Sequence, residues 1–434
     1  MKRRNGSAGA LLALLVVLGL LASARTARAE GGMTIDQAVA IALQRNRDVL
    51  ATKLDIEAAQ IDKIAASVYT NPVFSYTVGN VVVGNGNPQD KGVDPGPLSQ
   101  LVHTVGVSEI IDVWNKRGAR IRASERGIEH RRLVVEDALR EIAYAVRAAF
   151  ADLAREQLEN DLARTMKSRY DETIRVSGAR FRAGEISESE FRKIELEGFR
   201  YQNAVIDADT ELDLSRQRLA ALLGLGSPTE LPGPATMPND ARTAPTLGVL
   251  VTHALQDRPD LRAATQGREL AGATLESAKR DAYPDISLGV AFTHSDFQVS
   301  GDNPNAVALT LTLPLPVFDR NQANIARSHN DAKRFDNDIA RLEIQIRQEV
   351  AQSVRKLERA SSLLDIYEAG GMLDRADKAL RVAENSYKAG SISLIELLEA
   401  QRTYIDTRAQ YLRAQHDYRQ AVIDVAHATG KRTQ

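Results

Sequence analysis

The chain has 434 residues, no cysteine, 56 basic against 57 acidic side chains, and only 5% aromatic residues. The cysteine count excludes a disulfide-stapled design and an anchor through an N-terminal lipidated cysteine. The near-balanced charge, with no basic stripe, argues against nucleic-acid binding. A core so poor in aromatics relies on Ala, Leu, Val and Ile, a small-residue, charge-rich composition that suits long packed helices.

Lys2, Arg3 and Arg4 precede an apolar run at 10–22, and Ala27-Arg28-Ala29 is a small-x-small signal just before Glu30. That order is expected to be a cleaved secretory signal peptide, residues 1–29. The run is short for a transmembrane helix, and nothing else in the chain approaches ~18 apolar residues. Removing these residues, five of them basic and none acidic, moves the formal charge from −1 to −6.

From there the chain is expected to run twice through one order of elements: helix, two strands, very long helix, tight turn, helix. Thr34-Ile35-Asp36 and Ala42-Leu43-Gln44 match Thr246-Leu247-Gly248 and Ala254-Leu255-Gln256, and Asn71-Pro72 falls on Tyr283-Pro284 at the same offset. Later, Val113-Trp114-Asn115-Lys116 matches Val317-Phe318-Asp319-Arg320, and Gly224 matches Gly430. Two copies of about 200 residues are an internal duplication, not a short-period solenoid. The halves are expected at 30–225 and 246–434, with a Pro-rich equatorial connector at 226–245.

The strands alternate. Phe74, Tyr76 and Val78 oppose Val73, Ser75 and Thr77; Leu101, Val105 and Val107 oppose Thr104, Gly106 and Ser108, with His103 on the apolar side. In the second half Ile286, Leu288, Val290 and Phe292, then Val307, Leu309, Leu311 and Leu313, alternate with small residues. Apolar-out, small-in segments of this kind fit a membrane barrel. A soluble sheet with one wet face has the same pattern. The connecting loops at 79–100 and 295–305 are rich in Gly, Asn, Pro and Asp, as exposed turns are. Four strands cannot close a barrel, and an open edge is not viable in lipid, so a membrane reading requires several chains. A trimer gives twelve strands.

Residues 115–181 and 321–387 each hold 67 positions without proline. In the first, Leu139, Ile142, Val146, Phe150 and Leu153, then Leu158, Leu162, Met166, Tyr170 and Ile174, recur in steps of three and four. Each stretch predicts a helix of roughly 100 Å, with coiled-coil packing. The returns at 187–223 and 393–429 are about half that length. Two shorter helices end to end would match one long helix, which suits a tube of even height.

Between long helix and return lie two turns, Phe181-Arg182-Ala183-Gly184-Glu185-Ile186-Ser187 and Tyr387-Lys388-Ala389-Gly390-Ser391-Ile392-Ser393. Gly184 and Gly390 stand where a helix ends on a left-handed residue. Ser187 with Glu190, and Ser393 with Glu396, have capping-box spacing; Ile186 with Phe191, and Ile392 with Leu397, have the spacing of hydrophobic staples. None of the seven histidines is paired at metal-ligand spacing, and no nucleophile–base pair, nucleotide loop or soft-metal filter can be named. No enzyme, cofactor or dedicated metal site is expected.

The order of elements, the duplication and the two Gly-x-Ile-Ser turns resemble TolC-type outer-membrane factors. Asn71-Pro72, the stretch from Val107-Ser108-Glu109 through Asn115-Lys116-Arg117-Gly118, and Leu313-Pro314-Leu315-Pro316-Val317-Phe318-Asp319-Arg320-Asn321-Gln322 resemble the CzcC-like branch, which exports divalent metal cations with resistance-nodulation-division (RND) pumps. The resemblance implies a mainly α chain with a transmembrane β part, and a homotrimer with a twelve-stranded barrel in outer-membrane lipid. It also implies a helical periplasmic tunnel, a periplasmic adaptor (membrane fusion) protein and an inner-membrane RND pump. It makes Gly184, Ile186, Ser187, Gly390, Ile392 and Ser393 candidate adaptor-docking tips. It makes Glu396 and Glu399, three apart on one helix face, with Glu190, candidates for a periplasmic gate. Some relatives carry an N-terminal lipobox cysteine, which this chain lacks. Two other readings stay open: the same duct for drugs or other organic solutes, and a periplasmic coiled-coil scaffold without a pore.

Overall fold

The computed structural model describes residues 33–81, 101–231, 246–296 and 303–430. The expected signal peptide, most of both strand-connecting loops and residues 232–245 of the connector lie outside the described residues. The first half consists of α1 (Ile35–Arg45), α2 (Arg47–Ser67), β1 (Val73–Gly79), β2 (Val102–Ile111), α3 (Lys116–Arg182) and α4 (Glu188–Leu222). The second consists of α5 (Leu247–Asp257), α6 (Pro259–Asp281), β3 (Ile286–Ser295), β4 (Asn305–Thr312), α7 (Gln322–Ala369), α8 (Met372–Lys388) and α9 (Leu394–Ala428).

Three expectations need correction. The N-terminal helix of each half is two helices. Asn46 is extended, and its side chain accepts from the N–H groups of Asp48 and Val49, ending α1 and starting α2 in one residue. Arg258 is extended for a different reason: Pro259 follows it and disfavours helix at the preceding position. The 67-residue helix expected at 321–387 is interrupted at Gly370-Gly371, where Gly371 takes φ +60°, leaving helices of 48 and 17 residues. Its counterpart α3 has no such pair and runs unbroken for 67 residues, roughly 100 Å. Finally, of the two capping boxes expected at the turns only that of Ser393 closes fully. Ser187 accepts from the Glu190 N–H, without the reciprocal bond.

The apolar stripe of α3 is buried through Val146, Phe150, Leu153, Met166 and Tyr170, but Leu158, expected in it, stands five residues past Leu153, off that face, and is exposed. Phe150 and Leu153 pack with Ala38 and Ala42 of α1 and Leu212 and Leu219 of α4. A corresponding cluster in the second half joins Leu250, Ala254 and Leu261 to Ile346, Val350 and Ala428. Where the shorter helices meet the return helix, each half has the same joint. The Asn46 amide donates to the Leu222 carbonyl at 2.9 Å, and the Arg258 guanidinium donates to the Ala428 carbonyl at 3.3 Å. Gly224 (φ +67°) and Gly430 (φ +69°) pack directly onto these residues.

Arg258 is buried and also binds Asp260, at 2.6 and 3.1 Å, and Glu349. Burial by itself would raise the Asp260 carboxyl, but the hydrogen bonds and charge of Arg258, with the Leu261 N–H, together outweigh it and hold the group below its ordinary range.

The halves are joined along α3 and α9 by three antiparallel links in one register. Asp152 meets His416 at 2.7 Å, Tyr144 donates to Asp424 at 3.0 Å, and Glu141 meets His427 at 3.0 Å. Burial, with the Asp424 carboxylate beside it, pushes the Tyr144 hydroxyl up to about 12.

The four strands form one antiparallel sheet in the order β1-β2-β3-β4. The register lines up Tyr76, Val105, Phe292 and Val307 in one row, and Phe74, Val107, Val290 and Leu309 in the next on that face. All eight side chains are exposed, Leu309 at 83%. Rows of the opposite face are small: Ser75, Gly106, Ala291, Ala308, and Thr77, Thr104, Thr293, Ala306. At the helix end of the sheet, Tyr69, Trp114, Tyr283 and Phe318 are exposed aromatics, with Trp114 and Tyr283 stacked at 4.7 Å. Such an aromatic belt beside an apolar band is the surface of a membrane barrel. Among the described residues no helix is long and apolar enough to cross a membrane.

The joint gives a comparative test. A Cβ at Gly224 would lie 2.6 Å from the Arg45 carbonyl oxygen, whereas one at Gly184 meets nothing within 4 Å. Gly184→Ala therefore carries only the left-handed backbone penalty, ~1–2 kcal/mol, and Gly224→Ala carries that plus a backbone clash. Thermal unfolding of the purified protein should show the lower melting temperature for Gly224→Ala. The reverse order would contradict the joint.

Candidate functional site

Each turn between a long helix and its return is closed by backbone bonds first. Gly184 and Glu185 donate to Phe181 and Arg180 at 3.0 and 2.9 Å, and Gly390 and Ser391 donate to Tyr387 and Ser386 at the same distances. These are two Schellman turns, whose left-handed position suits glycine, and Gly184 (φ +78°) and Gly390 (φ +74°) occupy it. The next helix then starts from a serine. Ser187 accepts from Glu190 at 3.1 Å, Ser393 accepts from Glu396 at 3.3 Å, and the Glu396 carboxylate accepts from the Ser393 N–H at 3.2 Å. Ile186 and Ile392 turn inward, while Gly184, Ser187, Gly390 and Ser393 are exposed.

The two turns share one apolar cluster. Ile186, Phe191 and Ile194 of the first pack with Ile392, Leu394 and Leu397 of the second around Tyr170, Tyr201, Tyr387 and Tyr404. Polar contacts cross between the hairpins. Ser177 and Tyr387 hydroxyls meet at 2.9 Å, and Arg180 donates to the Tyr387 carbonyl at 3.3 Å while binding Glu185. Arg169 spans to Glu384 at 3.4 Å and Asp377 at 3.8 Å. The buried Tyr201 hydroxyl donates to Gln401 at 3.1 Å.

The six tip residues thus stand at one end of the molecule. Glu396 and Glu399 are exposed, on the face of α9 opposite Leu394, Leu397 and Gln401, and Glu190 is half-buried. Sequence reasoning missed the cross-hairpin residues Ser177, Arg180, Tyr201, Tyr387 and Gln401. A signal existed, since four of only eleven tyrosines fall in this cluster. Among the described residues no group of three or more His, Cys, Asp or Glu side chains could hold a metal ion.

The chain matches the outer membrane efflux protein family over residues 38–225 and 250–431. It is 23% identical over 390 residues to the cobalt-zinc-cadmium resistance protein CzcC of Cupriavidus metallidurans, covering 88% of this chain and 87% of that one. It is 24% identical over 392 residues to the toluene efflux pump outer membrane protein TtgF of Pseudomonas putida, covering 86% and 78%. The solved structure of CusC superposes with a TM-score of 0.73 at 17% identity, covering 91% of this chain and 92% of that one. This chain therefore belongs to the outer membrane efflux protein family and is a passive efflux duct, not an enzyme.

Proposed function

We propose that three copies of this chain form a duct that carries divalent metal cations out across the outer membrane. The observation that carries assembly is the sheet. Its apolar face is exposed, and β1 and β4 are its edges. An apolar face requires lipid, and lipid does not tolerate open edges, so β1 of one copy pairs with β4 of the next until twelve strands close. The hairpins then line a periplasmic tunnel. A periplasmic adaptor docks on the exposed tips around Gly184, Ile186, Ser187 and Gly390, Ile392, Ser393, and an inner-membrane RND pump supplies the cargo.

The metal reading rests on the likeness to the cobalt-zinc-cadmium resistance protein across most of both chains. The similar likeness to a toluene pump component favours organic solutes as the second reading. A deletion strain tested against cobalt, zinc and cadmium salts and against toluene separates them. Metal sensitivity with unchanged solvent tolerance is the expected result, and the opposite outcome overturns the metal reading. Native mass measurement in detergent should give three chains; a well-behaved monomer would sink the assembly.

Docking makes a separate claim. Gly184→Val and Gly390→Val each strain the left-handed turn by ~1–2 kcal/mol. Efflux should fall in both variants while trimer and membrane level persist. Full efflux in both contradicts docking at the tips.

At the tunnel mouth, threefold symmetry places three copies each of Glu396, Glu399 and Glu190 around one axis. Stacked rings of carboxylates attract cations and bind divalent ions. Glu396 already completes its capping box, but Glu399 has no capping duty. The double variant Glu396→Gln with Glu399→Gln keeps the box, since glutamine completes it too. Single-channel recordings should show weaker cation selectivity and weaker divalent block together. Unchanged selectivity and block would rule out the gate.

A further inference from the structure

We propose that the seam between α3 and α9 is a pH-sensitive tie between the two halves of the chain, closed by protonated His416 and His427 and loosened when both imidazoles lose their charge. The placement comes from one register. Asp152 faces His416, Tyr144 faces Asp424 and Glu141 faces His427, each step along α3 matched by an equal step back along α9. The seam lies within one chain, so it does not rest on how copies assemble or on what the duct carries.

An ionised carboxylate only accepts hydrogen bonds, so in each outer link the imidazole is the donor. His427 Nε2 lies 3.0 Å from Glu141, and its ring lies against Tyr144 with centroids 4.2 Å apart. His416 stands between two carboxylates: Nε2 is 2.7 Å from Asp152 and Nδ1 is 3.7 Å from Asp417. A neutral imidazole carries one N–H and serves one of them, whereas an imidazolium carries two and faces both. The imidazolium also adds the attraction of opposite charges, on side chains only 15% and 21% exposed. Histidine is the side chain that changes charge between about pH 5 and 8.

Other charged groups face the rings from the neighbouring elements. Arg155 of α3 and Arg218 of α4 approach Asp152, and Arg413 and Arg419 lie one turn from His416 on α9 itself. Beside them α7 contributes only apolar contacts, Ala360 and Leu364 against Ala414 and Tyr418. Arg140 and Arg258 approach Glu141, Arg140 also binds Asp137, and Lys356 of α7 pairs with Asp424 at 3.4 Å. Glu136, Arg147, Asp257 and Arg262 line the same recess as His427. α8 meets α9 farther along, around Leu380 and Leu397. The central link does not titrate here, because burial and Asp424 push the Tyr144 hydroxyl up to about 12. The acid limit is set by the carboxylates. The hydrogen bond from His427 holds the Glu141 carboxyl below its ordinary range, and that from His416 does the same for Asp152. A depressed carboxyl contributes stability above its ordinary range and loses it as pH falls through the folded value. The outer links are therefore strongest between about pH 4 and the range in which the imidazoles discharge.

The test compares the unmodified full-length protein with the double variant His416→Gln and His427→Gln, both purified in detergent. A glutamine amide donates a hydrogen bond at every pH and carries no charge. Near about pH 5.5 the unmodified protein should melt higher by about 1–3 °C, and the gap should close toward about pH 8. The other five of the seven histidines are common to both proteins and cancel in the gap. A gap that stays constant or widens with pH overturns the proposal. Hydrogen exchange, corrected for its intrinsic rate at each pH, reads the seam directly. Amides of residues 415–428 should lose protection between the same two pH values in the unmodified protein and not in the variant. Equal protection at both values in the unmodified protein overturns the proposal as well. If the double variant fails to fold, His416→Gln and His427→Gln, made singly, decide on the same two readouts, each with a smaller gap.

Discussion

The tube depends on a length constraint: two short helices, stacked end to end, must stay in line beside one long helix. Helix propensity alone does not enforce this, because separate helices are free to take any angle. The joint does. Asn46 and Arg258 each end one helix, begin the next, and hold the last turn of the return helix through a carbonyl, at Leu222 and Ala428. Gly224 and Gly430 let the return helix end close against them. The first joint is neutral and compact. The second buries a charge, which is tolerable only because Asp260 and Glu349 pair with it.

From that joint the column is continuous to the sheet. Trp114 stacks on Tyr283 and donates to the Pro284 carbonyl, Arg280 donates back to the Trp114 carbonyl, and Lys116 pairs with Asp285 at 2.7 Å. These contacts cross between the halves, so the strands of one half are fixed to the helices of the other. Asn115 (φ 53°) and Asn321 (φ 58°) take the left-handed conformation at the start of each long helix, a position asparagine tolerates well. Strand direction is thereby converted to helix direction over a few residues, at the same place in both halves.

Periodicity made most of this legible. Alternation at Phe74, Tyr76, Val105, Val107, Val290 and Leu309 gave the two faces of the sheet, and the Gly-x-Ile-Ser turns gave the hairpins, because both are local patterns. The capping serines could be read for the same reason, although the missing half of the Ser187 box could not, since a side-chain rotamer decides it. What stayed hidden was long-range. His103 counted only as a blemish on an apolar side until register set it opposite His294. Ser177, Arg180 and Tyr387 lie on helices far apart in sequence, and no spacing announces their contact. The break at Gly370-Gly371 was written plainly as a glycine pair, but the absence of proline outweighed it; two adjacent glycines interrupt a helix through backbone freedom alone.

That break changes how the two hairpins behave. The first has one rigid long helix, so α3 tilts as a unit from sheet to tip. The second has α7 and α8 meeting at Gly371, whose left-handed backbone has open space around it. Above the break, α7 is held by the apolar cluster around Ile346 and Val350. Below it, α8 is held to α3 by Arg169, Ser177 and Tyr387 and by the apolar cluster at the tips. The segments are thus anchored to different neighbours, and the glycines let each follow its own. Cross-hairpin ties of partly exposed ion pairs and single hydroxyl contacts are individually weak beside the buried joint at Arg258.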